Sequence, residues 1–563
     1  MSAFTLPCMC DRTRGAVVEL QDFRQLTETL FDADVCIVGA GPAGLAIASE
    51  LADTHCRVLI IESGGREPSA LTRDLDVIEN VGAARQADQA EVRARAFGGT
   101  SNIWNGRCAP LDASDMEARD WVPLSGWPLP HADFAPYFKR AAGQLGLCPL
   151  DYDSSLDARQ PFGSPLALSY SDALRPYLWQ FSVDDTDSSV ATRSARNMQQ
   201  RDPANLRVLL HATVTELVPD ASGTRIEWLE IRSLTGREAK VRARVVVLCA
   251  GGIETPRLLL ASRRIVPSGI GNQHGLVGRH LMDHARCSLG QLRLPDAARL
   301  RPAFSLQSIE AHGRQRYFLR GLALSAEFQR REQLLGCAGW VHETEAADDP
   351  WSALKRLKMR QSDTRASDLS ALARQPWLAA RQLRRKLLER QPVLRKLASV
   401  ELMCDVEQEP APDSRITLSD VNDVLGMPRA RIDWRISELQ KRTILRFAQQ
   451  SARTFASMGQ QLSLAEYVRD GALDVAALRD VAHPSGTTRM AHSALRGVVD
   501  ASGQVHGVER LYIAGTSVFP TQGHVNPTLT LVALAIRVAD ELKARHFVKR
   551  PTPHAQTELN TYA

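Results

Sequence analysis

No stretch of this 563-residue chain reaches the roughly eighteen consecutive apolar residues that a membrane-spanning helix needs. The first thirty residues include Asp11, Arg12, Arg14, Glu19, Asp22 and Arg24 and lack the apolar core of a secretion signal, which sets the expectation of a cytoplasmic protein. One-signed charge is scarce as well. The 69 Lys and Arg stand against 64 Asp and Glu, and the formal net charge of +5 gives no reason to expect a nucleic-acid partner. The ten cysteines are scattered, several inside apolar runs where Cys acts as a small hydrophobe, and a reducing compartment fits them. Only Cys8 and Cys10 lie close together, and no His or Cys follows at ligand spacing, so no metal site is expected. No haem-attachment run or carrier-protein signature occurs. What is present is ordinary: 44% hydrophobic and 24% charged residues, in a chain ample for two large cores.

From Asp34 to Ser63 the chain reads as strand, tight turn, helix and strand, a βαβ unit. Its turn carries Gly39-x-Gly41-x-x-Gly44. The first glycine allows the turn, the second lets backbone approach a pyrophosphate, and the third lets helix and strand pack closely. The free N–H groups and partial positive charge of the helix N-terminus suit phosphates. Glu62 closes the second strand, where an acid accepts hydrogen bonds from a ribose. The motif points to a dinucleotide and does not separate FAD from NAD.

The run from Phe97 to Arg107 is rich in glycine and hydroxyls and includes Gly99, Thr100, Ser101, Asn102 and Trp104. It suits a loop laid along a flat ligand and equally a surface loop with a buried Trp104. Between about 205 and 262 two strand-like runs, Leu206 to Asp220 and Thr224 to Ser233, form a hairpin around Ser222-Gly223 and precede a buried strand that breaks at Ala250-Gly251-Gly252 into a helix, again a place where backbone meets a ligand. From Ala285 onward, six strand-like runs in order carry no βαβ alternation. The expected architecture is an α/β Rossmann-like nucleotide domain from 30–130, 200–285 and 480–548. Beside it stands an α+β substrate domain with a six-stranded antiparallel sheet, from 131–199 and 286–479, and 1–29 forms an N-terminal extension. A basic helical insertion spans 350–398. Residues 351–400 carry thirteen Lys or Arg against Asp363, Asp368 and Glu389, and Trp377, Ala380, Leu383 and Leu387 recur at helical spacing. Such a helix can lie on an anionic membrane surface, as a peripheral contact, or pack its leucines on the sheet as a flap.

Near the end, His483 in HPSGTTRM and Asn526 in GHVNPTLT sit in two shaped turns. Taken together, the GAGPAG unit with Glu62, the FGGTSNIWNG loop, the AGGIETPRLLLAS segment, HPSGTTRM and the closing LYIAGTSVFPTQGHVNPTLT run resemble the glucose-methanol-choline (GMC) flavoprotein oxidoreductases, in the bacterial branch near pyranose oxidases and sugar dehydrogenases. The resemblance covers about Asp34 to Lys543. It implies FAD, with the FGGTS loop along the isoalloxazine and the Ala212–Val214 backbone on the adenine side. It also implies Gly515 and Thr516 near the pyrophosphate, and the backbone of Asn526, Pro527 and Thr528 by the pyrimidine end. In several relatives a loop histidine is tethered to the flavin. Ile103 stands at that position here, so non-covalent FAD is expected.

Oxidising an alcohol requires the hydroxyl proton to leave as hydride passes from the same carbon to flavin N5, so a base with a pKa near working pH must reach the hydroxyl. His483 is the candidate base, and Asn526 the donor to the developing alkoxide. The family's second catalytic position falls on Asn526, which leaves His524 to the substrate-pocket wall or to packing beside it. His211, His280, His284 and His492 are expected in structural or surface roles. The substrate is expected to be a small-molecule alcohol, a sugar, glycoside or other polyhydroxylated metabolite, with oxygen, a quinone or a carrier protein as electron acceptor. An apolar alcohol delivered at a membrane surface and a redox-neutral lyase of the same fold are the alternatives.

Overall fold

Runs of β-branched and aliphatic residues set the first sheet. In the computed structural model, which describes residues 19–52, 54–86, 88–148, 172–183, 204–311, 314–358, 365–389 and 391–547, strand Leu30–Val38 carries Val35, Cys36, Ile37 and Val38 into the interior on both faces. It pairs in parallel with Val58–Ile61 on one side and Glu238–Leu248 on the other. Helix Pro42–Leu51 connects the first two strands, with Pro42 at its first position, where a missing N–H is harmless. Leu206–Leu210 and then Leu20–Asp22 extend one side in parallel. On the other side, Ile226–Arg232 of the hairpin with Thr213–Pro219 pairs antiparallel with the start of Glu238–Leu248, while Leu511–Ile513 runs parallel to its end. Cys8, Cys10 and most of the N-terminal extension lie outside the described residues.

Two local details differ from the sequence reading. The run from Leu206 to Asp220 is not one strand, because His211 takes a positive φ of 58° and donates its N–H to the Gly64 carbonyl, which turns the chain between the two pairings. Leu20–Asp22, placed in the extension, is an edge strand of the sheet; three residues are too few to show a period.

Among the described residues the second sheet has nine strands rather than six. Four of the predicted runs fall on strands Ala285–Leu292, Arg314–Leu324, Cys337–Glu345 and Leu397–Val406 of this sheet, and every pairing among its described residues is antiparallel. Leu174–Phe181, Arg107–Cys108, Gln307–Ala311, Leu462–Leu464 and Arg479–Asp480 complete it. The other two predicted runs, Arg415–Asn422 and Pro428–Asp433, form a separate three-stranded sheet with Ile78–Asn80. Arg257, on helix Gly251–Ala261, explains why: it donates to the Pro428 carbonyl and the Asp423 carboxylate and holds that pair beside the first sheet. Helix Glu438–Ser457, opened by a Ser437/Gln440 capping box, packs Phe447 against Gly339 of the large sheet.

The basic insertion forms helices Pro350–Lys358, Arg365–Arg374 and Pro376–Leu387. The flap reading, with leucines packed inward, does not hold. Trp377 is 87% exposed and Leu387 64%, whereas Gln382 is buried and donates to the Asp349 carboxylate and the Leu394 carbonyl. Those two acceptors fix which face turns inward. Among the described residues no helix is long and apolar enough to cross a membrane.

Candidate active site

A cavity of about 510 Å³ opens at the carboxyl ends of the parallel strands, where Val38, Ile61, Cys249 and Ala514 reach it, and continues to Arg107 and Arg286 of the large sheet. All the sequence-predicted cofactor residues line it except Gly44 and Asn102. Gly44 serves packing, since a Cβ there would stand 2.0 Å from the Gly39 carbonyl oxygen. Asn102 shapes the loop by donating to the Phe97 and Gly99 carbonyls at 3.1 and 3.0 Å. That loop meets the first glycine turn directly: Gly98 donates to the Ala40 carbonyl at 2.9 Å, and a Cβ on Gly99 would come within 2.7 Å of the Gly41 Cα. Trp104 is half-buried and lines the cavity.

Three helices begin on this cavity, at Gly41-Pro42, Ala250-Gly251 and Pro527-Thr528, and none has a side-chain cap on its first N–H groups. Uncapped helix starts converging on one space attract negative charge, as a pyrophosphate carries. Glu62 accepts from the Ala40 and Gly64 N–H groups at 2.9 and 2.8 Å; burial raises its pKa and those bonds offset part of the rise.

At the far end the structure brings His483 and Asn526 to the same cavity. The His483 backbone N–H donates to the Asp283 carboxylate at 3.1 and 3.2 Å, and Asp283 is itself held by buried Arg85 at 2.6 Å. The His483 ring meets His284, Nδ1 to Nδ1, at 3.0 Å, and His284 Nε2 lies 2.9 Å from the Gly523 carbonyl. Burial, and then the neighbouring His284, hold the His483 pKa well below its ordinary value. Arg286 chelates Asp405 at 2.7 and 2.8 Å. Arg107 stacks over Trp340 at 4.5 Å, pairs with no carboxylate among the described residues, and is lowered by burial to about 10.

His524 does not line the cavity. It is buried with its ring edge-to-face against Tyr177 at 5.0 Å, and neither ring nitrogen has a hydrogen-bond partner among the described residues. It offers ligand atoms within 4.8 Å of Asp112 and Asp115, a group able to take a cation where none was expected, although Asp112 is already paired with Arg175. His280 is buried with a φ of 61°, and His492 is exposed. His284, expected to be structural, touches His483 instead, and no sequence spacing ties position 284 to 483. Arg107 and Arg286 went unnoticed for the same reason.

Two models described as GMC oxidoreductase match residues 187–286 and 410–535, and one described as NAD(P)-binding Rossmann-like domain matches 37–101. The chain belongs to the GMC oxidoreductase family. This GMC oxidoreductase is 24% identical to 6'''-hydroxyparomomycin C oxidase of Streptomyces lividus, over 90% of each chain. It is 23% identical to 2-methyl-1,2-propanediol dehydrogenase of Mycolicibacterium austroafricanum, over 92% of this chain and 97% of the relative. In fold it is similar to pyridoxine 4-oxidase, described as from Mesorbium loti, with a TM-score of 0.55 and 18% identity over 91% of this chain and 99% of that one. It is therefore an FAD-dependent enzyme that oxidises alcohols and passes the electrons to an acceptor. The glycine cradle and the three uncapped helix starts fit that cofactor.

Proposed function

We propose that this GMC oxidoreductase oxidises a hydroxyl group of a sugar, glycoside or other polyhydroxylated metabolite to a carbonyl, with His483 as base and Asn526 as alkoxide donor. The observation that carries the reading is the placement of His483 and Asn526 on the cavity that holds the glycine cradle. Bound FAD supplies the hydride acceptor. His483, neutral because its pKa is depressed, takes the hydroxyl proton, and the Asn526 amide N–H stabilises the charge that develops on oxygen. Asn105 and Arg107 add hydrogen-bond donors to the same lining, which favours a substrate with several hydroxyls over an apolar alcohol. The relatives named for hydroxyparomomycin and a propanediol point the same way. An anaerobic screen of sugars, glycosides, polyols and aliphatic alcohols tests this: hydroxyl-rich compounds should bleach the flavin, and bleaching by aliphatic alcohols alone would overturn the substrate reading. No bleaching by any of them would favour a redox-neutral lyase.

The flavin is held non-covalently in this account, because Ile103, whose side chain has no nucleophilic nitrogen, faces the cavity at the loop position. Acid precipitation should leave the yellow colour in the supernatant; colour in the pellet would contradict it.

The outward face of helix Pro376–Leu387 supports a second element, contact with an anionic membrane surface. Trp377, Leu383 and Leu387 are exposed there beside Arg381, Arg384 and Lys386, a pairing of apolar edge and positive charge that lies at lipid headgroups. The protein should sediment with anionic and not with neutral vesicles at low salt, and equal behaviour in both would remove the idea.

A further inference from the structure

We propose that His284 is a positioning residue that fixes where His483 carries its hydrogen, leaving His483 Nε2 as the atom that accepts the substrate proton; this rests on the reading of His483 as the base. The Gly523 carbonyl oxygen can only accept, so His284 Nε2, 2.9 Å away, must carry a hydrogen. A neutral imidazole has one ring hydrogen, which leaves His284 Nδ1 as a lone pair. His483 Nδ1 lies 3.0 Å from that lone pair and must therefore be the donor. With its hydrogen on Nδ1, His483 has a bare Nε2.

The ring geometry agrees. The two imidazoles stand at 88° with centroids 5.2 Å apart, an edge contact and not a stack. The same dipeptide grips His483 twice, since Asp283 accepts its backbone N–H while His284 accepts from its ring. The arrangement requires a neutral His284, because a protonated one would donate from both nitrogens, force His483 Nδ1 to accept and move the hydrogen to Nε2. Burial holds the His284 pKa below its ordinary value against the pull of two carboxylates, Asp405 and Asp283. Each of these already faces a guanidinium, Asp405 on Arg286 and Asp283 on Arg85. Arg107 disfavours charge on His483, and buried His524 is the other histidine close to His284.

In the step itself the alcohol O–H bond breaks and an N–H bond forms at His483 Nε2. With FAD bound, the C–H electron pair would leave with its hydrogen to that acceptor, so the alcohol would lose two electrons and become a carbonyl. The imidazolium formed on His483 then donates from Nδ1 to His284 as a charge-assisted bond, which is stronger than its neutral precursor.

The test compares His284→Leu, which removes the acceptor, with His284→Asn, whose amide oxygen can replace it, as holoenzymes. Bound flavin should be unchanged, and anaerobic flavin reduction should slow about 10²-fold in the Leu variant, the scale of general-base catalysis. The Asn variant should recover about tenfold of that loss. The acid limb of the Leu variant's pH profile should move further down, because burial is kept while the imidazolium on His483 loses the acceptor for its Nδ1–H. A Leu variant within about twofold of wild type with an unmoved profile, or an Asn variant no better than Leu, would overturn the proposal. Should the Leu variant fail to fold, a neutron structure of the wild-type holoenzyme decides: hydrogen on His483 Nδ1 supports it, and hydrogen on Nε2 refutes it. His483→Ala keeps the two readings apart. Near wild-type rates there would remove the base assignment itself, whereas a slow His483→Ala beside a fast His284→Leu would remove only the positioning role.

Discussion

One end of the cavity rests on a backbone cradle of glycine turns and helix starts, and the proposed reacting end is built from side chains. At the first end, Gly39, Gly41 and Gly99 bring turns together, and three helices present uncapped N–H groups. At the second end, Asn105 and Arg107, His284 and Arg286, His483, and Asn526 arrive from four separate stretches of chain. A backbone site depends on local conformation and steric room. A side-chain site depends on how distant segments are held, here through Asp283 with Arg85 and Asp405 with Arg286.

That difference yields a double dissociation. His483→Ala should cut kcat by about 10² or more while the flavin stays bound, and turnover near wild type would break the assignment. Asn526→Ala should cost about 10² in kcat by removing one donor to developing charge, again with flavin retained, as measured by absorbance per mole of protein. Gly44→Ala should do the reverse. Its Cβ would sit 2.0 Å from the Gly39 carbonyl, so we expect about 1–3 kcal/mol of destabilisation in thermal unfolding and loss of flavin, with near-normal rate per flavin retained. Arg107→Leu should raise KM about tenfold with little change in kcat, the scale of a lost charge-assisted hydrogen bond, and an unaltered KM would take Arg107 out of substrate binding.

Two regions were legible in the sequence to different degrees for the same physical reason. Gly39, Gly41, Gly44 and Glu62 could be read because their spacing follows one βαβ unit, whose geometry is local. His483 and Asn526 could be picked out from their turns and the family resemblance. His284 could not, because its partner is 199 residues away and only the pairing of Ala285–Leu292 with Arg479–Asp480 in the large sheet brings them together. The strand count fell short for a related reason: short strands such as Arg107–Cys108 and Arg479–Asp480 carry no period. The insertion misled in its own way, since its apolar spacing is real but Gln382 and Asp349 decide which face is buried.

The pH dependence sharpens the picture of the reacting end. The His483 pKa is depressed, so the neutral, competent form persists as pH falls below 6.5 and is lost only at lower pH. kcat for the wild type should stay flat through 6.5 on the way down, and an acid limb above that value would contradict a buried base.

The most direct test is anaerobic mixing of holoenzyme with a bleaching alcohol, reading the rate of flavin reduction per bound flavin in wild type, His483→Ala and Gly44→Ala side by side. The account predicts fast bleaching in wild type, a similar rate in the flavin that Gly44→Ala retains, and bleaching slowed about 10²-fold or more in His483→Ala. Equal rates in wild type and His483→Ala would contradict it.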